Sequence, residues 1–118
     1  MSAHNKINYL EFPSKDLFKT KSFFSLVFNW QFEDYGPEYS VFLAAGINGG
    51  FYQSSLNACT KNGSALAVIY SSNITETAEK IKQAGGEIIN PIFSFPGGVR
   101  FHFTDPNGNE YAVWSEQE

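Results

Sequence analysis

Cysteine is nearly missing from this chain: Cys59 stands alone among 118 residues. No intrachain disulfide can form, and the usage suits a reducing cytoplasm. Basic residues are also few. Eight Lys and Arg, scattered rather than striped, face twelve Asp and Glu, for a net charge of −4. Nucleic acid is therefore not an expected partner, because phosphate recognition needs a basic face. Long apolar runs are missing as well. The run ALAVIY at 65–70 is far too short to span a bilayer, and MSAHNKINYL at the start carries no apolar leader. The chain has no phosphate-binding glycine loop and no GxSxG nucleophile elbow. These absences exclude a nucleic-acid binder and a helical membrane protein.

Aromatic residues, by contrast, are abundant. They make up 17% of the chain, twelve of them Phe, enough to build a core and to exclude disorder. The sequence at 6–12, KINYLEF, alternates as a strand, with Pro13 expected to close it. Asp16 is placed to cap a helix from Leu17 whose stripe is Leu17, Phe24, Val27 and Phe28, with Phe23 flanking it. Asn29 suits the left-handed residue that ends it. Strands are expected at 30–35, 39–44 and 49–53. The segment 54–64 has turn composition and reads as a connector. The order then restarts: a strand at 65–71, a helix at 74–84 capped by Asn73 and striped by Ile74, Ala78 and Ile81, and strands at 86–95, 99–104 and 110–114. Asp105-Pro106-Asn107-Gly108 is a strong turn. Each half could bury only one face of a small sheet, so two halves are expected to share one interior.

With this order in place, the segments INYLEFPSKDLFKTKSFFSLVFNW (7–30), GGFY (49–52) and FPGGVRFHFTDPNGNEYAVW (95–114) resemble the vicinal oxygen chelate superfamily. That group includes glyoxalase I, bleomycin-resistance proteins and extradiol dioxygenases, and the nearest likeness is to its single-domain, glyoxalase-like members. The resemblance implies an α+β fold of two βαβββ modules, at about 6–53 and 65–115, joined by 54–64 into a single domain over 1–118. It implies a curled, half-open mixed sheet barrel with helices outside and a ligand cleft inside. It also implies a homodimer. Metal-using members place one ligand on the first strand and one Glu on the last strand of each module.

The equivalent positions here are Tyr9, Leu66, Ala112, and either Tyr52 or Gln53. Leucine and alanine offer no electron pair, and tyrosine is a poor ligand for zinc or magnesium at neutral pH. The expectation is a small-molecule-binding protein of the glyoxalase/bleomycin-resistance type with no metal cofactor. A relocated divalent-metal site would draw on Glu11, His102 and Glu110, and the chain would then be a lyase, isomerase or dioxygenase. The plainer assignment for Glu110 is surface exposure. A dimeric scaffold without ligand is the third possibility. Strand parity puts Tyr9, Glu11, Leu66, Val68, Arg100, His102, Ala112 and Trp114 toward the cleft, with Tyr52 and Tyr39 as further candidates. Such a cleft is aromatic and apolar with a few polar handles, suited to a flat or aromatic ligand stacked on Trp114 or Trp30.

Overall fold

The structure is a computed structural model that describes residues 2–116. The chain divides into two compact units, the first up to Leu56 and the second from Asn57. Each is a βαβββ module, so the fold is α+β. Among the described residues, no helix is long and apolar enough to cross a membrane.

The first unit contains β1 (Tyr9–Ser14), α1 (Leu17–Phe28), β2 (Gln31–Asp34), β3 (Tyr39–Leu43) and β4 (Asn48–Gln53). Its strands lie in the order β1-β4-β3-β2, with β1 parallel to β4 and the other pairs antiparallel. The first strand thus starts three residues later than alternation suggested and runs through Pro13. Because β1 is an edge strand, a residue without an N–H costs no ladder bond on the open side. Helix α1 starts where the carboxylate of Asp16 accepts from the Lys19 N–H at 3.2 Å. It ends at Asn29, whose φ of 63° is left-handed. Its buried residues are Thr20, Phe23 and Phe24, so Phe23 is central rather than flanking. Thr20 is tolerated there because its hydroxyl pairs with Ser14 Oγ at 2.7 Å.

Under α1 lies an aromatic cluster. Trp30 stacks on Phe24 at 4.6 Å and on Phe42 at 5.0 Å, and Phe24 also stacks on Phe51 at 5.6 Å. Trp30, half-buried, thus packs against the core rings. Burying each phenylalanine contributes about 1.5–3 kcal/mol. The cluster needs Gly49: a Cβ there would collide with the Leu10 carbonyl and the Phe42 ring.

The second unit contains β5 (Ala67–Tyr70), α2 (Ile74–Gln83), β6 (Glu87–Phe95), β7 (Gly98–Thr104) and β8 (Glu110–Ser115), preceded by a 3-10 turn at Thr60–Asn62. Strand order is β5-β8-β7-β6, with β5 parallel to β8. The second half repeats the first, including the cap: Asn73 accepts from the Glu76 N–H. Helix α2 packs over β6 and β8 and buries Ile74 and Ile81. Phe101, Phe103, Tyr111 and Val113 are likewise fully buried on alternate positions of β7 and β8. Leu66 falls one residue before β5, not on it.

The turn into β8 is anchored by the buried Asp105. Its Oδ1 accepts from the N–H groups of Asn107 and Asn109, and its Oδ2 from the Tyr111 hydroxyl at 3.0 Å. Burial outweighs these donors and raises the Asp105 carboxyl above its ordinary value. Burial, followed by the nearby Asp105 charge, holds Tyr111 well above the usual phenol range. Gly108, with φ of 94°, is also the point where a side chain would strike Asn57. The segment that composition marks as connector is thus fastened to the β7–β8 turn at Asn57 and Ala58. Asn57 donates to the Asn107 carbonyl, the Ala58 N–H to Asn109 Oδ1, and the Glu110 N–H to the Ala58 carbonyl.

Gly49→Ala tests the close approach of β1, β4 and Phe42. It is expected to lower unfolding free energy by about 1–3 kcal/mol, the usual cost of overpacking, read from the urea midpoint. An unchanged midpoint would contradict that packing.

Candidate functional site

Both sheets separate two faces by strand parity, and the residues of interest lie on the faces away from the helices. In the first unit Tyr9 and Glu11 of β1 share their face with Val41, Gly50 and Tyr52 through the registers of β1, β3 and β4. Tyr39 reaches across this face. Its hydroxyl donates to Glu11 Oε2 at 2.9 Å, so its oxygen accepts from the Tyr9 hydroxyl at 2.6 Å. The ring passes over Gly50, where a Cβ would collide with the phenol. Burial first, then the bonds to Tyr9 and Glu11, hold Tyr39 far above its ordinary ionisation range. It therefore serves as a fixed donor. Tyr9 and Glu11 are exposed, and Tyr52 is half-buried opposite Tyr39. Tyr9 also lines a mostly polar hollow of about 550 Å³ with Val41 and Asn48.

The second unit carries the denser arrangement. Arg100, His102 and Thr104 of β7 register with Trp114, Ala112 and Glu110 of β8, and Val68 and Tyr70 of β5 register with Ala112 and Trp114. One hydrogen-bonded chain runs along this face. Both the backbone N–H and the hydroxyl of Thr60 donate to Glu110 Oε1 at 2.9 Å. Glu110 Oε2 lies 2.8 Å from His102 Nδ1, and His102 Nε2 lies 2.9 Å from Arg100 Nη2. The chain fixes the histidine tautomer. Arginine has no acceptor, so Nε2 must accept and carries no proton. The single ring proton is then on Nδ1, donated to Glu110.

Glu110 is buried, 7% exposed, not on the surface as its place in a polar turn suggested. Burial disfavours its charge, but the bonds from His102 and Thr60 outweigh that cost and hold its carboxyl below the usual 4.5. The missed signal was Thr60, which stands fifty residues away in sequence.

Beyond His102 the guanidinium of Arg100 lies 5.9 Å from the ring centroids of both Phe93 and Phe95. It borders a pocket of about 300 Å³ lined by Val68, Phe95, Gly97, Arg100 and Trp114. Trp114 is held edge-on by Tyr70 at 5.0 Å and by Phe95 at 6.2 Å. Of the residues expected to line a cleft in this unit, Val68, Arg100 and Trp114 meet here. Phe95 and Gly97 were not anticipated: Phe95 ends β6, whose parity is broken by bulges, and Gly97 lies in the turn that follows. His102 stands behind Arg100 and does not line the pocket. Ala112 is fully buried and has no surface to offer a ligand. Leu66 is half-buried and absent from the lining.

Each member of the relocated metal set, Glu11, His102 and Glu110, has a hydrogen-bond partner within its own unit. Within neither unit do three His, Cys, Asp or Glu side chains of the described residues gather as ligands. Glu11 already accepts from Tyr39, and His102 and Glu110 bond to each other. A cation at His102 would also sit beside the Arg100 charge. Ala112 supplies only a methyl group where a carboxylate ligand would stand.

A sequence model of the Glyoxalase/Bleomycin resistance protein/Dioxygenase superfamily matches residues 6–113. No curated protein sequence matches the chain significantly. Among solved structures, a glyoxalase-related enzyme from Fulvimarina pelagi is similar, with TM-score 0.76 and 19% identity over 94% of this chain and 88% of that one. The fosfomycin resistance protein FosX from Listeria monocytogenes has TM-score 0.78 and 19% identity, over 96% and 94% of the two chains. A mutant of that protein, complexed with Mn(II) and 1S,2S-dihydroxypropylphosphonic acid, has TM-score 0.77 and 20% identity, over 95% and 90%. At these identities the likeness concerns the fold.

The lowered Glu110 value has a pH signature. A carboxyl depressed in the folded state adds stability that is present above its unfolded value of 4.5 and lost as pH falls through the folded value. Glu110→Gln, which turns an amide N–H toward His102 Nδ1, is expected to cost about 1–3 kcal/mol at neutral pH. The gap between parent and variant in urea unfolding should narrow below pH 4.5. A gap independent of pH would contradict the assigned pairing.

Proposed function

The chain belongs to the Glyoxalase/Bleomycin resistance protein/Dioxygenase superfamily, the vicinal oxygen chelate proteins, and on that premise we propose that it binds a small molecule in the second unit's pocket without a metal centre. The observation that carries this reading is the convergence of Val68, Arg100 and Trp114, from three different strands, on one apolar pocket beside Phe95. Apolar walls with a single oriented polar group are the usual composition of a small-ligand site. Trp114, half-buried and held edge-on, offers a ring on which a flat ligand gains about 1 kcal/mol beyond area burial.

Metal independence follows from side-chain chemistry. Leu66 and Ala112 have no donor atoms, and the nearby donors His102 and Glu110 are occupied by each other, Arg100 and Thr60. The FosX mutant complex contains Mn(II). In this chain the corresponding role has no ligand set. The protein's part is to bind and orient: Arg100 is held in place through His102 and Glu110, and the aromatic side chains keep water from the ligand.

A cytoplasmic homodimer belongs to the same reading. Ile89, Ile92 and Phe93, all partly exposed on the edge strand β6, supply apolar surface for a second copy. Sedimentation is then expected to give twice the 13.2 kDa chain mass, and a monomer at micromolar concentration would remove this part.

The site itself is tested in two ways. After metal-free purification and re-addition of Zn, Ni, Fe and Mn, elemental analysis is expected to find far less than one ion per chain. A stoichiometric ion would overturn metal independence. Trp114→Ala is expected to weaken binding of an aromatic ligand about tenfold, while a stable fold is retained. Equal binding by variant and parent would remove Trp114 from the site.

A further inference from the structure

The guanidinium of Arg100 carries five N–H bonds, and among the described residues it has one hydrogen-bond acceptor, His102 Nε2. Its Nε is buried and meets no acceptor. The ion pairs of the described residues join Lys21 to Asp34, Lys80 to Glu76 and Lys82 to Glu79, and none includes Arg100. The charge of Glu110 is one side chain removed, and the imidazole between them is neutral in the tautomer derived above. Phe93 and Phe95 flank the guanidinium and supply no lone pair. A buried donor of a charged group left without an acceptor is costly in a folded protein. Arg100 itself borders a pocket whose other side chains, Val68, Phe95 and Trp114, are apolar.

Such a site lacks a negative charge and two acceptor atoms. Resting on the pocket assignment above, we propose that the ligand is a small aromatic monocarboxylate, gripped by the free N–H groups of the Arg100 guanidinium, with its ring against Trp114 and Phe95. The planar guanidinium fork matches the two oxygens of a carboxylate. One cation, with no lysine or second arginine lining the pocket, matches one negative charge better than the two of a phosphate ester. A volume of about 300 Å³ admits one or two fused rings.

Calorimetric titration of the full chain with 2-naphthoate, 2-naphthamide and 2-naphthyl phosphate separates the terms. The parent is expected to bind naphthoate about tenfold or more tighter than either of the other two. Arg100→Gln should bind naphthoate and naphthamide alike. Arg100→Lys, which keeps the charge and loses the fork, should fall between. Trp114→Ala should weaken all three. If the parent binds acid and amide equally and Trp114→Ala weakens both, the carboxylate inference fails and the pocket stands. Tighter binding of the phosphate overturns the monoanion in favour of a dianion. If none of the three binds, or Trp114→Ala changes nothing, the pocket assignment itself fails and the inference with it. The acid-to-amide ratio of the parent needs no variant, so a poorly folding substitution does not remove the test.

Discussion

A carboxylate taken out of water must be met by hydrogen-bond donors, and the carboxylate of Glu110 is met by the N–H and hydroxyl of Thr60 and by the ring of His102. The rest of the second unit's functional face follows from that requirement. Because Glu110 takes the Nδ1 proton, His102 presents a bare Nε2, and a bare nitrogen can hold a guanidinium. Arg100, half-buried, thereby borders an aromatic pocket. A salt bridge would have held it more strongly but neutralised it. The intervening histidine fixes the position of the cation and leaves its charge for a ligand.

The closing strand of the second unit places Ala112 at the expected ligand position and Glu110 two residues earlier on the same face. The carboxylate is thus still on the strand, but it is turned into an internal brace. Its oxygens are spent on Thr60 and His102. A protein cation, Arg100, then offers a fixed positive charge and directed N–H groups. It can orient an anion.

Much of the fold was legible because it is written in local rules. Asp16, Asn29 and Asn73 mark helix ends by their own side-chain chemistry. The alternation of Phe101, His102 and Phe103 separates the helix-facing side of β7 from the site-facing side without further information. What stayed hidden depends on long-range partners. Thr60 looks like an ordinary residue of a polar segment until β8 is placed beside it. Glu110 follows a polar turn and reads as exposed for the same reason. Pro13 looked like a strand end because edge position is a property of the sheet, not of the local sequence. Phe93 and Phe95 reach Arg100 across a strand whose bulges break the parity rule used elsewhere. The stacking of Trp30 on Phe24 and Phe42 was likewise hidden, because aromatic residues serve cores and ligand sites alike.

The account turns on where one proton sits. The chain has two histidines, His4 and His102, so ¹⁵N-detected NMR of the imidazoles, with His102→Gln for assignment, reads it directly at mildly alkaline pH. The predicted spectrum has His102 with a protonated Nδ1 and an unprotonated, hydrogen-bonded Nε2. A proton on Nε2 would mean that Arg100 has no acceptor there, and the brace described between Glu110 and the pocket would not exist.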